Sequence, residues 1–378
     1  MDFAFSEEQK MLRTMARDFL EAECPKKLVH AMAADDKGYT PQLWRKMADM
    51  GWMGLVFPEE YGGTGASLLD LVVLLEEMGR ACLPGPFFST IVLGGLALLE
   101  AGNKQQKDEF LPRIIDGSAI FALALTEPAT TRYNPALITV QASAAEDGYV
   151  INGTKLFVPD ANVADYIICA ARTGGEVSSR EGITLFLLNA RSAGIDCTLL
   201  KTIASDKQCE VVFDKVQVPG DNMLGELGGG WGYLERLLQL AAVAKCAEMV
   251  GNAQQVLDMT TGYARERVQF GHPIGSFQAV QHLCADMIID IDGARFITYK
   301  AAWLLDEGIP CPREVAVAKA WVSEATRRVA ARGHQVLGGV GYMMEHDLPL
   351  YTLRAKAAEL AFGDASYHQE VVARELGL

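Results

Sequence analysis

The chain has 378 residues, of which 50% are hydrophobic, 22% charged and 8% aromatic, a globular composition that excludes disordered, collagen-like and coiled-coil chains. Acidic residues outnumber basic ones by 48 to 34, and the formal net charge is −14. A surface of that sign repels phosphate backbones, which argues against a general nucleic-acid binder but allows a local basic pocket for a phosphorylated small ligand.

The first part of the chain has the periodicity of helices. Ser6 and Gln9 have the spacing of a capping box and open a first helix, whose apolar residues recur at helical intervals. Thr40 as N-cap and Gly51 as a stop define a second helix. Further helices are predicted over 68–82 and 89–101. We therefore predict an N-terminal α-helical domain over 1–120.

The pattern then changes to short apolar runs bounded by Gly, Asp and Pro, which is typical of strands. Asn152-Gly153 suits a type I′ turn, so we predict a β-hairpin with strands at 149–151 and 154–158. Other strands are predicted over 121–125, 164–171, 183–188 and 210–218. These elements predict a central β domain, a sandwich or barrel, over 121–225.

Helical periodicity returns after three consecutive glycines, Gly228 to Gly230. Long helices are predicted over 231–267, 278–305, 313–337 and 350–361. We expect a C-terminal four-helix bundle over 226–378. The fold class is then α+β and multidomain, in the order α, β, α.

Cysteine usage and apolar runs indicate the compartment. The eight cysteines show no CxxC spacing and are typical of buried thiols in a reducing environment. The longest apolar run, 91–99, is too short to span a bilayer. The sequence begins MDFAFSEEQK, which lacks the basic start of a signal peptide. We therefore expect a cytoplasmic protein without a membrane span.

Motifs for several common chemistries are missing from the sequence. It contains no Rossmann glycine pattern, Walker A sequence, HExxH or GxSxG elbow. The six histidines form no close pair, so we interpret each as a surface or packing residue and predict no metal site. An enzyme of this kind would take its difficult chemistry from an organic cofactor.

Five short sequences resemble those of the acyl-CoA dehydrogenase family and occur in the family's order. They are PEEYGGTG at 58–65, TEP at 126–128, INGTKLF at 151–157, VFDKVQVP at 212–219, and RVQFG at 267–271 with FQ at 277–278 and QVLGGVG at 335–341. The resemblance spans almost the whole chain and implies the family's fold. It also implies FAD-dependent α,β-dehydrogenation of an acyl-CoA thioester, with electrons passed to an electron-transfer flavoprotein.

The resemblance assigns eight residues to FAD, which the family binds between the β domain and the C-terminal bundle. Thr126 and Phe157 would line the isoalloxazine ring, and backbone near Thr126 would donate hydrogen bonds to its pyrimidine edge. Arg267 would meet the pyrophosphate of an FAD held mainly by a neighbouring subunit. The other five residues would pack on or contact that cofactor; they are Phe270, Gln278, Gln335, Gly338 and Gly339.

Each of these residues also has an ordinary structural interpretation. Arg267 alone suggests an ion pair at a helix end, Gly338 with Gly339 a helix stop, and Phe157 cross-strand packing. Their occurrence together in family order favours the cofactor. Because Arg267 and Gln335 would serve a neighbour's FAD, we expect a dimer or tetramer.

The catalytic base implied by the resemblance is a carboxylate in an apolar pocket. Ungapped alignment places Phe362 at one usual position of this base and Ala241 at the other. Asp364 is the nearest carboxylate, and we predict it as the base, although an N-cap of the next helix is its ordinary interpretation. Glu235 is a remoter candidate and is better interpreted as a solvated helical charge.

Two further departures leave alternatives open. EHDL at 345–348 with FGD at 362–364 resembles a subgroup acting on steroid side-chain or dicarboxylic acyl-CoAs, some members of which pair two unlike chains with the base on only one. Arg132, in ATTRY at 129–133, replaces a serine that in the family bonds pyrophosphate or substrate. The alternatives are a non-catalytic subunit of a heteromer and a flavoprotein that catalyses elimination from an acyl-CoA without net oxidation.

Overall fold

The computed structural model describes residues 5–129, 132–177 and 179–378. The chain divides into two compact units. The helical unit comprises Met1–His30, Ser67–Leu83 and Ala242–Leu378; the mixed unit comprises Ala31–Ala66 and Pro84–Ala241. The predicted domain boundaries at 121 and 226 stay a prediction. Thr130 and Thr131, in the turn after TEP, lie outside the described residues, as does the start of the N-terminal decapeptide.

Helices occupy both ends of the sequence, as predicted. They are α1 (Glu7–Glu23), α2 (Lys26–Ala34), α3 (Pro41–Asp49), α4 (Leu68–Ala81), α5 (Leu96–Ala101), α6 (Lys104–Ile115), α7 (Gly230–Glu266), α8 (Gln278–Asp306), α9 (Pro312–Leu337), α10 (Leu348–Leu360) and α11 (Ala365–Glu375). The N-caps were predicted correctly: Ser6 forms a capping box with Gln9, and Thr40 accepts a hydrogen bond from Leu43 N. The helix predicted over 89–101 is α-helical only from Leu96, since Phe88–Gly95 forms a π-helix.

Strands occupy the middle of the sequence. They are β1 (Phe121–Ala124), β2 (Gln141–Ala145), β3 (Gly148–Pro159), β4 (Tyr166–Arg172), β5 (Ile183–Asn189), β6 (Ile195–Leu200), β7 (Gln208–Pro219) and β8 (Met223–Leu224), followed by the short pair β9 (Val268–Gln269) and β10 (His272–Pro273). The first eight form one sheet in the order β6-β7-β3-β2-β4-β5-β8, with β1 parallel to β4. The α+β class with a β middle section is therefore confirmed.

The predicted hairpin at Asn152-Gly153 is wrong. Strand β3 runs through this dipeptide without turning, and its hairpin partner is β2, joined through the register pair Ala145 and Gly148. The dipeptide sits instead at a β-bulge against β7, where Asn152 Oδ1 accepts a hydrogen bond from Lys215 N at 2.8 Å. Turn chemistry at the level of two residues cannot distinguish a bulge from a hairpin, because both favour a small residue with an unusual φ.

Two glycines let α4 and α7 pack backbone to backbone within the helical unit. A Cβ placed on Gly251 would lie 1.7 Å from the carbonyl oxygen of Glu76, and one placed on Gly79 would lie 2.0 Å from that of Glu248. No side chain larger than hydrogen fits at either position without moving a helix. Among the described residues, no helix is long and apolar enough to cross a membrane.

Candidate functional site

Phe157 lies in a β-bulge of β3 and is turned outward. The register with β7 shifts between Lys155 and Val158, so that Leu156 and Phe157 together oppose a single residue of β7. Phe157 takes a φ of +53°, in the left-handed region, and its side chain is 56% exposed. A β-bulge changes the direction in which a side chain points, and here it directs the aromatic ring of Phe157 to the surface.

Thr126 lies beside this bulge. The half-buried Thr126 follows β1, and its carbonyl oxygen accepts a hydrogen bond from Leu156 N at 2.8 Å. The structure therefore joins, within the mixed unit, the two residues that the sequence assigned to the isoalloxazine ring. They come from different motifs, and the hydrogen bond that brings them together joins Thr126 to Leu156, the residue before Phe157.

A buried ion pair supports both residues. Lys155 Nζ lies 2.6 Å from Glu127 Oε1 and donates a second hydrogen bond to Leu125 O at 3.0 Å. The two charged side chains are 0% and 1% exposed. Glu127 adjoins Thr126, and Lys155 lies two residues before Phe157. The ion pair therefore holds the backbone at Thr126 and the backbone that leads to Phe157.

The Glu127 carboxylate is fully engaged. It also accepts hydrogen bonds from Thr139 N at 2.7 Å, from Val140 N at 3.1 Å and from the Thr139 hydroxyl. Burial alone would raise the pKa of Glu127, but the Lys155 charge and these hydrogen bonds outweigh it and hold the pKa below its ordinary value. Glu127 and Lys155 both lie in the sequence motifs, but their pairing was not predicted. The available signal was a single charged residue just after the apolar run 121–125 and another within 151–157.

Arg172 organises the loops that follow Arg132. Its side chain is buried, and its guanidinium donates to backbone carbonyls in two segments, 136–138 and 174–181. Backbone carbonyl oxygens thus take the place of the carboxylate partner that a buried arginine commonly has. Arg132 itself is exposed.

A second group of predicted residues lies just after α7. Arg267 is exposed, and Phe270, at the turn between β9 and β10, is 90% exposed with a φ of +53°. Its ring lies 6.2 Å from that of Phe277, edge to face. Gln278 is exposed at the first position of α8. These side chains are presented outward, as contacts with another molecule require; their assignment to FAD stays a prediction.

The third group lies at the end of α9. Gln335 is exposed in the last turn, and Gly338 ends the helix with a φ of +60°. A Cβ built on Gly338 or Gly339 would have no atom within 4 Å, so the backbone here is open to close approach. The helix-stop interpretation of the glycines therefore holds, and it leaves room for a ligand.

The predicted base lies between α10 and α11. Asp364 is the N-cap of α11, and its Oδ1 accepts a hydrogen bond from Tyr367 N at 2.8 Å. Phe362 is half-buried with a φ of +58°, and Ala241 is fully buried within α7. Glu235 lies 3.3 Å from Arg180 in an exposed ion pair, as its interpretation as a solvated charge predicts.

Three phenylalanines in the left-handed region coincide with the predicted sites. Phe157, Phe270 and Phe362 all have φ between +53° and +58°. This conformation costs free energy for a bulky residue and concentrates at functional sites. No sequence pattern predicts this left-handed conformation, because it depends on the bulge or turn in which each phenylalanine lies.

The residues present fit a flavin dinucleotide. In the mixed unit, an exposed aromatic ring beside polar backbone suits a flat, polar-edged ring system. In the helical unit, an exposed guanidinium and an open glycine backbone suit a diphosphate.

Three sequence profiles of one family cover the chain. The acyl-CoA dehydrogenase N-terminal domain matches residues 6–118, the middle domain 122–216 and the C-terminal domain 228–377. The chain is 34% identical to the probable acyl-CoA dehydrogenase YngJ of Bacillus subtilis, with 100% of both chains covered. It is 30% identical to the caffeyl-CoA reductase-Etf complex subunit CarC of Acetobacterium woodii, covering 97% of this chain and 98% of that one. The solved FAD complex of PigA superposes with a TM-score of 0.93 at 25% identity, covering 100% of each chain.

Proposed function

The chain belongs to the acyl-CoA dehydrogenase family, and we propose that Asp364 is the base that removes the α-proton of its substrate. The protein is an FAD-dependent oxidoreductase that acts on the CH–CH bond of an acyl-CoA thioester and passes electrons to an electron-transfer flavoprotein. FAD, when bound, supplies the acceptor for the β-hydrogen. The proton from the α-carbon must go to a group of the protein.

One observation carries the assignment of Asp364. Its Oδ1 caps α11 through Tyr367 N, while Oδ2 has no hydrogen-bond partner among the described residues. A carboxylate held by one oxygen is oriented, and its other oxygen can accept a proton. Asp364 and the half-buried Phe362 belong to the same short connection between α10 and α11.

The residues proposed to hold FAD divide between a subunit's own cofactor and its neighbour's. Thr126 and Phe157 present backbone and ring to the isoalloxazine, supported by the buried pair beneath them. Arg267 faces the pyrophosphate of the neighbour's FAD and offers several charge-assisted donors, while Phe270 packs on it. The remaining contacts to the neighbour's cofactor come from Gln278, Gln335, Gly338 and Gly339. This division requires at least a dimer.

The experiment uses the purified, FAD-loaded chain without oxygen. A panel of short, branched, dicarboxylic and steroid side-chain acyl-CoAs is added, and the visible flavin absorbance is followed. Wild-type protein should be bleached by at least one substrate. Asp364→Asn keeps the N-cap but loses the base, since Asn caps as well as Asp; it should bind acyl-CoA and bleach slowly. Bleaching of Asp364→Asn at the wild-type rate would remove Asp364 from the mechanism.

A second candidate function is supported by Phe362 and Ala241. With neither usual base position occupied by a carboxylate, the chain would complete a site on an unlike homologous chain. A purified chain that stays colourless until such a partner is added would favour this function. Product formation without bleaching would instead favour elimination from an acyl-CoA without net oxidation.

We also propose that the protein is located in the cytoplasm. No disulfide joins any of the eight cysteines, and six of them are buried. Cysteines without disulfides are typical of a reducing compartment, which supports the cytoplasm. Mass spectrometry of thiols alkylated during cell lysis would test it: full alkylation under denaturing conditions is expected, and disulfide-linked peptides would contradict it.

A further inference from the structure

Lys319 is a fully buried lysine on α9. Its Nζ donates hydrogen bonds to Glu359 O at 2.8 Å, to Gly363 O at 2.9 Å and to Ser323 Oγ at 3.3 Å. The side chain is 0% exposed. None of these three acceptors is a carboxylate, so the ammonium is satisfied almost entirely by backbone of a neighbouring segment.

That segment is the connection between α10 and α11. Glu359 lies in the last turn of α10, where carbonyl oxygens lack helical partners and a positive charge is favourable. Gly363 lies just before the N-cap of α11. A single ammonium therefore bridges the end of one helix and the beginning of the next, and the loop 361–364 is closed between these two points.

The loop has a conformation that needs such support. Phe362 and Gly363 have φ of +58° and +92°, and the first of these is costly for a phenylalanine. A second side chain holds the same loop: His368 Nε2 donates to Phe362 O at 2.9 Å. The carbonyls of residues 359, 362 and 363 are thus all fixed by side chains from α9 and α11.

We propose that Lys319 is the positioning residue of the loop 361–364, holding its backbone so that Asp364 caps α11 and leaves one carboxylate oxygen available. The inference rests on the proposed role of Asp364, and it assigns Lys319 no contact with substrate. No sequence pattern indicates this role, because a lysine inside an apolar helical face is normally expected to reach solvent.

The protonation state agrees with this role. Burial lowers the pKa of Lys319 to about 8, while the nearby Cys246 and Glu359 raise it. At neutral pH the amine is still mainly protonated, so it has three N–H donors for its three acceptors. His368 is neutral under the same conditions, since burial lowers its pKa to about 4, and its Nε2–H can donate to the Phe362 carbonyl.

The test compares Lys319→Met, Lys319→Arg and a control, Lys300→Met, at an exposed lysine of α8. Hydrogen exchange of the amides of 361–364 and the rate constant of flavin bleaching at saturating acyl-CoA are measured in the FAD-loaded protein. Lys319→Met should speed exchange in this loop and slow bleaching by at least about tenfold, with acyl-CoA affinity nearly unchanged. Lys319→Arg should recover part of both, and Lys300→Met should match wild type. If Lys319→Met does not fold, Lys319→Gln, which keeps a donor, replaces it.

The outcomes separate this proposal from that of the base. Unchanged exchange at 361–364 in Lys319→Met overturns the positioning role, whatever Asp364 does. Bleaching at the wild-type rate in Lys319→Met, together with slow bleaching in Asp364→Asn, overturns it as well. Wild-type bleaching in Asp364→Asn overturns the base, and the exchange data then still decide whether Lys319 holds the loop.

Discussion

The Lys155 ammonium and the Glu127 carboxylate stand 2.6 Å apart, with both side chains almost completely excluded from water. Glu127 adjoins Thr126 and Lys155 lies two residues before Phe157, so the pair connects the stability of the mixed unit with the geometry of its candidate site. A buried pair is most sensitive to the loss of one partner, because the remaining charge is left uncompensated.

Glu127→Gln should lower the free energy of unfolding by about 3–5 kcal/mol. The change keeps the size of the side chain and removes the charge that compensates Lys155. Denaturant unfolding measures it, with Glu176→Gln, at an exposed site of the same unit, as the control. The double change Glu127→Leu with Lys155→Met should recover part of the loss. Wild-type stability in Glu127→Gln would show that the pair contributes nothing net.

His368 predicts a specific pH dependence of stability. Its pKa is lowered by burial from 6.5 to about 4, so between these values the unfolded chain binds a proton that the folded chain does not. Stability should therefore fall as the pH falls from about 6.5 to about 4, by up to about 1.4 kcal/mol per pH unit. His368→Gln keeps a donor for Phe362 O and should flatten this part of the curve.

Unfolding midpoints at successive pH values measure the effect of His368. His272→Gln removes an exposed histidine and should leave the curve unchanged. A curve for His368→Gln that runs parallel to that of the wild type would contradict the predicted proton uptake.

The crossing of α4 and α7 predicts opposite effects for two glycines of one helix. Gly251→Ala should destabilise the protein by about 1–3 kcal/mol or more, because its Cβ meets the Glu76 carbonyl. Gly262→Ala, where a Cβ would have no atom within 4 Å, should stabilise by up to about 1 kcal/mol through helix propensity. Thermal and denaturant unfolding of the two variants test this, and equal effects at both positions would refute the backbone contact.

Arg267→Ala should weaken FAD binding. Loss of a charge-assisted partner to a diphosphate is expected to cost about 1.5–3 kcal/mol, or about tenfold to a hundredfold in affinity. Arg265→Ala, two residues away on the exposed end of α7, is the matched control. Flavin release during dialysis measures both variants, and sedimentation shows whether the assembly persists. Equal flavin retention in both variants, or flavin bound by a monomer, would argue against the shared site.

The sequence was sufficient where a local rule acts alone. The caps at Ser6 and Thr40 follow from side chains that bond their own helix, and the long C-terminal helices follow from their apolar periodicity. It failed at Asn152-Gly153, where pairing with β7 decides between a turn and a bulge. Periodicity likewise does not distinguish the π-helical turns of Phe88–Gly95 from an α-helix.

The candidate site was predictable only in part, for the same reason. Motif resemblance identified Thr126 and Phe157, but the hydrogen bond from Leu156 N to Thr126 O and the exposure of Phe157 arise at a bulge that forms only in the sheet. The supporting residues Glu127, Lys155 and Lys319 act through tertiary contacts with backbone from elsewhere in the chain. No spacing rule identifies such contacts.

The most direct measurement is deuterium uptake at the acyl α-carbon in heavy water, catalysed by the FAD-loaded chain alone. It follows proton transfer by the protein itself. Wild-type protein should incorporate deuterium at the α-position, Asp364→Asn should lose most of this exchange, and Lys319→Met should slow it. Equal incorporation by wild type and Asp364→Asn, or incorporation only after an unlike chain is added, would contradict the assignment of Asp364 as the base.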